Sequence, residues 1–87
     1  MNRYTGKSLE KDVEGFNAQL ATIGDAYRFS VGYRYGYTAV ELATPEQLAH
    51  YCHQRNLEIG SPRECLAACN RYLASAALNA LARKGAA

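Results

Sequence analysis

The residues with the greatest potential for chemistry are histidines and cysteines in the second half of the chain. His50 and His53 are three positions apart, so they would share one face of a helix. Cys65 and Cys69, four positions apart, would do the same. Zinc binds four such ligands in a tetrahedron. However, the chain has no Cys-x-x-Cys pair, and His50 and Cys52 cannot point the same way on one helix. We therefore predict no metal site and no cofactor.

A cysteine nucleophile activated by a histidine is the second chemistry to consider. Cys65 or Cys69 could pair with His53. No oxyanion motif and no orienting Asp or Asn stands beside them, and such partners are what activate a thiol for catalysis. Cysteine is also a frequent small core residue. We therefore interpret the cysteines as packing residues and predict that the protein is not an enzyme.

The other candidate site is an aromatic and basic stretch over residues 27–42. Large apolar side chains recur there at every second position, which is the pattern of one face of a strand. The members of this row are Tyr27, Phe29, Val31, Tyr33 and Tyr35. The intervening residues are Arg28, Ser30, Gly32 and Arg34. Gly36 permits a sharp turn, and alternation continues to Leu42 on the way back, so we predict an antiparallel hairpin.

The two ends of this hairpin have different expected roles. We place Tyr27, Phe29 and Val31 in the core. The tyrosines at the turn cannot all be deeply buried, and exposed Tyr and Arg side chains are typical anchors of protein interfaces. The face with the arginines could dock on an acidic surface or on a phosphate backbone, or it could simply be solvated. The predicted partner-binding residues are Arg28, Tyr33, Arg34, Tyr35 and Tyr37.

Helices are predicted on both sides of the hairpin. Ser8 can cap a first helix that ends at Gly24. Thr44 and Ser61, each followed by Pro, begin a second helix over 44–56 and a third over 61–84. The stripe predicted for the first helix is Leu9, Val13, Phe16, Leu20 and Ile23. The stripe predicted for the last helix is Leu66, Cys69, Leu73, Ala77 and Leu81.

These elements predict an α+β fold. Residues 1–87 form a single domain in which two to three helices cover an antiparallel hairpin, with a third strand if residues 57–59 pair with it. Residues 1–7 are expected to be flexible and residues 82–87 to be frayed. The order of elements allows one aromatic face of the hairpin to lie inside.

Composition narrows the classes of function. The net charge of +2 is too small to imply a nucleic-acid partner. No charged leader precedes an apolar run and no apolar stretch approaches 18 residues, so a cytoplasmic protein without membrane contact is expected. The alternative function is a helix-turn-helix-like DNA-binding regulator that reads DNA with Arg63, Asn70 and Arg71. If the last helix extends beyond the hairpin, Leu78 and Leu81 would be exposed in a monomer, and that would favour a homodimer.

The chain also resembles a loose group of small proteins encoded by bacteriophages and prophages. The shared features are an opening helix, a hairpin rich in Tyr and Gly, and a closing helix that starts at Gly-Ser-x-Arg-Glu. The matching residues are Leu9, Val13, Asn17, Leu20, Tyr27, Tyr35, Gly36, Tyr37, Gly60, Ser61, Arg63, Glu64, Tyr72 and Leu73. The resemblance implies a mobile-element accessory protein that binds a host protein or ribonucleoprotein complex. Anti-CRISPR inhibitors are among the small phage proteins that act this way.

Overall fold

The structure, a computed structural model, describes residues 3–50 and 55–85. Within these residues it is an α+β domain, as the sequence predicts. The elements in chain order are α1 (Gly6–Thr22), β1 (Arg28–Arg34), β2 (Tyr37–Ala43), α2 (Pro45–His50), β3 (Arg55–Gly60) and α3 (Pro62–Gly85). The strands form an antiparallel sheet in the order β1-β2-β3. Both α1 and α3 contact the sheet and each other.

The start of α1 differs from the sequence prediction. Thr5, not Ser8, is the N-cap: its hydroxyl accepts from the Ser8 backbone N–H at 3.2 Å. The Ser8 hydroxyl accepts from the Thr5 backbone N–H at 3.3 Å, which completes a capping box. The predicted stop is confirmed, because Gly24 has φ +76°, a conformation that glycine adopts at no steric cost.

Capping boxes also begin the two later helices, as the sequence predicts. The Gln47 backbone N–H donates to the Thr44 hydroxyl at 3.1 Å, and the Thr44 backbone N–H donates to the Gln47 side chain at 2.9 Å. Glu64 and Ser61 make the same reciprocal pair at 3.2 and 3.1 Å. The reason is local, since each box needs only four consecutive residues.

Residues 55–60 form a strand. The predicted second helix over 44–56 is too long, because Arg55 and Asn56 already belong to β3. Residues 57–59 do form the third strand, paired with β2 through Ala39↔Ile59 and its neighbours. The register shifts by one residue between Val40 and Glu41, which is a bulge in the ladder. For Arg55 and Asn56, pairing with β2 therefore outweighs the helical tendency that the sequence indicates.

The core lies between one sheet face and the two long helices. The stripe on α1 is confirmed: Leu9, Val13 and Leu20 are buried, and Phe16 and Ile23 pack against the core. On the sheet, Phe29, Val40 and Leu42 are buried, and the Phe29 ring meets Phe16 and Tyr72 edge to face. Tyr27, predicted in the core, is an exposed residue, and Val31 is half-buried.

The stripe on α3 is rotated from the predicted one. The buried residues are Cys65, Ala68, Cys69 and Ala76. Leu66 and Leu73 are half-buried, but the predicted core residues Ala77 and Leu81 are exposed. Apolar residues occupy more than one side of α3, so their spacing fits more than one stripe.

One side chain joins α1 to the free edge of the sheet. Asn17 donates from Nδ2 to the Phe29 carbonyl at 3.0 Å and accepts at Oδ1 from the Phe29 backbone N–H at 2.7 Å. The amide thereby replaces a neighbouring strand at this point of β1. Unpaired edges invite pairing with other chains, so this contact also covers part of an edge.

A second polar contact joins the loop after α1 to α3. The Tyr72 hydroxyl donates to the Asp25 carboxylate at 3.1 Å. Burial, together with the negative charge of Asp25, raises the pKa of Tyr72 to about 12.

Candidate functional site

The hairpin turn presents three exposed tyrosines. Tyr33 and Tyr37 are each 59% exposed, and Tyr35 is 89% exposed. In the pairing of β1 with β2, Tyr33 is opposite Thr38 and Arg34 is opposite Tyr37, so the residues lie within two rungs of the turn. Tyr and Arg are enriched in protein interfaces, and here exposed Tyr side chains lie close to an Arg.

The backbone holds Tyr35 at the outermost point. Tyr35 and Gly36 are the two central residues of the turn, with φ +56° and +80°. Positive φ at both positions is the pattern of a type I′ turn, which normally carries Asn-Gly or Asp-Gly. A tyrosine in this conformation is unusual, because its Cβ crowds the backbone. The turn therefore combines local backbone strain with an exposed aromatic ring.

Arg34 is oriented by a buried carboxylate. Its Nε and Nη2 donate to Glu41 Oε1 at 3.2 and 2.7 Å. The Glu41 side chain is 6% exposed, whereas that of Arg34 is 52% exposed. Burial of the acidic partner gives the pair more strength than an ion pair in water has. Glu41 was not among the predicted site residues, although its place on the same face of the facing strand would have pointed to it.

Tyr33 rests on the beginning of α1. A Cβ atom at Gly6 would collide with the Tyr33 hydroxyl oxygen and would lie 3.0 Å from Tyr33 Cε1. Gly6 is therefore needed for this close approach. This contact holds the Tyr33 ring against α1, and the rest of the side chain is exposed to water.

Arg28 lies at the far end of the hairpin. It begins β1, and Arg34 ends it, so about 20 Å of strand separates them. Arg28 Nη1 donates to the carbonyls of Asp25 and Tyr27 at 2.8 and 2.7 Å. The structure therefore groups four of the five predicted partner-binding residues at the turn and leaves Arg28 apart. We call these four residues, Tyr33, Arg34, Tyr35 and Tyr37, the tyrosine tip.

The residues proposed to read DNA all lie exposed on α3. The Arg63 guanidinium stacks over the Tyr4 ring at 5.4 Å, and Arg71 lies 3.8 Å from the Glu58 carboxylate. In a helix-turn-helix two helices are joined by a short turn, but here β3 lies between α2 and α3.

The cysteines described are core residues. Cys65 and Cys69 are fully buried, and the Cys65 thiol lies 3.5 Å from the Thr38 carbonyl oxygen. Burial raises the pKa of Cys65 and raises that of Cys69 to about 12, which keeps both thiols protonated at neutral pH. Their predicted packing role is confirmed. Cys52 and His53 lie outside the described residues.

Within residues 3–50 and 55–85, no group of three or more His, Cys, Asp and Glu side chains is placed to hold a metal ion. None of the helices in them is both long enough and apolar enough to cross a membrane. No protein-family model, no curated protein and no solved structure matches the chain.

Proposed function

We propose that the protein is a non-enzymatic binding protein that docks on a partner protein through the tyrosine tip. The observation that carries this proposal is Tyr35, an 89% exposed aromatic side chain at a positive-φ position of a tight turn. A turn under selection for stability alone would have Asn or Gly there. Backbone strain that stability does not require is characteristic of functional positions.

The tip is also organised before any partner arrives. Arg34 is held by Glu41, and Tyr33 is held by its contact with Gly6. Side chains already fixed in place lose less conformational freedom on binding, which favours affinity. Tyrosine adds large contact area with few rotatable bonds and a hydroxyl that can pair at the rim of an interface.

We further propose, on the resemblance to small phage proteins, that the partner is a host protein or ribonucleoprotein complex. Binding would then inhibit that complex by covering part of its surface, as an anti-CRISPR inhibitor does. Steric occlusion needs no catalytic group, only a surface that a partner recognises.

The test is capture of partners from a bacterial host lysate, with and without nuclease. The bait is wild type or a Tyr35→Ser, Tyr37→Ser double variant. We expect the wild type to retain a protein complex that resists nuclease and the variant to lose it. Both tyrosines are exposed, so circular dichroism should show an unchanged fold. Equal recovery by both baits would refute a role for the tip.

The choice of variant follows from the structure. Arg34→Glu would place a second carboxylate beside the buried Glu41 and would destabilise the sheet. It would therefore confuse loss of binding with loss of folding. Lys11→Glu, a charge reversal on the exposed face of α1, is a control that leaves the tip intact. Recovery of nucleic acid alone, lost on nuclease treatment, would instead support the DNA-binding alternative.

A further inference from the structure

The strongest feature outside the tyrosine tip is an apolar groove between the ends of α1 and α3. Its volume is about 670 Å³. One wall is the end of α1 at Ile23 and Gly24, and the other is formed by Ala77, Ala80 and Leu81 of α3. Leu81 is 66% exposed, so a large part of this wall faces water.

A second apolar surface continues from the groove around α3. Successive residues of a helix are about 100° apart, so Ala74, Leu78 and Leu81 lie roughly opposite the buried Ala76. Leu78 is also 66% exposed. The C-terminal half of α3 is thus apolar on the core side and on the outer side. Exposed apolar surface that forms a contiguous patch is characteristic of an interaction site.

The charged residues that line the groove are both cationic: Arg83 and Lys84 lie at its end. After Glu64, no acidic residue occurs in α3. An apolar groove with a cationic border is complementary to a segment that has apolar residues on one face and carboxylates on the other.

We propose that this groove binds an acidic amphipathic helix of a partner protein. Leucine-sized side chains of the partner would enter the space between Ile23 and Leu81, and its carboxylates would pair with Arg83 and Lys84. Twelve residues of α3 span about 18 Å, which matches three turns of a bound helix. This arrangement is the helix-in-groove mode of recognition.

A second copy of the chain fits the groove less well. Because α3 has no acidic residue after Glu64, the α3 helix of a second copy supplies no carboxylate to pair with Arg83 and Lys84. It would instead bring its own Arg83 and Lys84, and like charges oppose association. An acidic helix supplies the opposite charge.

The groove and the tyrosine tip are separate surfaces. Tyr33 contacts α1 at Gly6, whereas the groove is at the other end of that 17-residue helix, about 25 Å away. Binding at one surface can therefore fail without any consequence for the other, and the two proposals are tested independently.

The test uses two fluorescein-labelled helical peptides of 18 residues with the same leucine face. One carries glutamates on its polar face and the other carries lysines. We expect the full-length protein to raise the anisotropy of the acidic peptide and to bind it at least about tenfold more tightly than the basic one. Equal affinity for the two peptides, or binding to neither, would overturn the proposal.

Variants locate the binding on the groove. Lys84→Glu should weaken binding of the acidic peptide about fivefold, whereas Lys11→Glu, with the same change in net charge, should leave it unchanged. Leu81→Ser should weaken binding about tenfold, and because Leu81 is exposed, the fold should remain. An equal effect of Lys84→Glu and Lys11→Glu would contradict the assignment.

Two further measurements test whether the groove binds something other than an acidic helix. A dimer in sedimentation analysis that Leu81→Ser dissociates would assign the groove to a second copy. Binding to phosphatidylserine vesicles that the acidic peptide does not displace would assign the exposed leucines to a lipid surface. Either result would overturn the proposal, and a monomer without vesicle binding would support it.

Discussion

Replacing Tyr35 by Asn should stabilise the protein while weakening its binding. A non-glycine residue in the left-handed region costs about 1–2 kcal/mol, and Asn tolerates that region better than an aromatic residue does. Tyr35 is almost fully exposed, so its removal sacrifices little packing. We therefore expect the free energy of unfolding to rise by about 1 kcal/mol. For a domain of this size that is a rise in the melting temperature of about 4–8 °C.

Urea denaturation followed by circular dichroism measures this change directly. The midpoint should increase with an unchanged slope, which would show that stability and not compactness has changed. Tyr37→Asn is the matched control, because Tyr37 is exposed but lies in β2, where Asn is a poor strand residue. The control should be neutral or destabilising.

The outcome for Tyr35→Asn discriminates between strain and packing. A neutral or destabilising effect would refute the argument that the turn is strained, and with it the main support for the tyrosine tip. If the variant is more stable but still captures the partner of the wild type, the turn is strained, but Tyr35 is not needed for binding.

Two other substitutions test contacts between elements. Asn17→Ala should lower the free energy of unfolding by about 2–3 kcal/mol in urea titration, because it leaves both backbone groups of Phe29 without their partner, whereas Gln19→Ala on the exposed face should change it little. As the pH is raised, the free energy of unfolding should fall less in a Tyr72→Phe variant than in the wild type. Since the pKa of Tyr72 is raised from 10 to about 12 by burial and Asp25, its contribution is complete below pH 10 and is lost as pH rises towards 12. A wild type and a Tyr72→Phe variant with identical loss of stability over that pH range would contradict this reasoning.

Local sequence was sufficient wherever a few neighbouring residues decide the structure. Only a few neighbouring residues determine the caps at Thr44 and Ser61, the end of α1 at Gly24 and the hairpin turn at Gly36. The predicted start of α1 is wrong because two nearby residues can both act as a cap. Ser8 has a suitable hydroxyl, but Thr5 is the N-cap and Ser8 is its partner in the capping box.

Sequence failed where distant segments compete for the same position. Residues near 55 look helical, yet β2 offers them a ladder of hydrogen bonds, and β3 forms. The apolar residues of α3 permit several stripes, and only contact with the sheet and α1 selects the one through Cys65 and Cys69. Tyr27 fits the aromatic row in sequence, but it precedes the first residue of β1 and its side chain is exposed.

The α+β class, the caps at Thr44 and Ser61, the hairpin and the cluster of tyrosines at its turn can be predicted from the sequence, because they follow from local periodicity and turn chemistry. Packing between elements determines that Glu41 is buried beneath Arg34, that Asn17 closes part of the edge of β1, and that Leu78 and Leu81 are exposed. Each of these depends on which face of an element meets another element. That choice is made by packing between residues far apart in the chain, and no short window of sequence contains it.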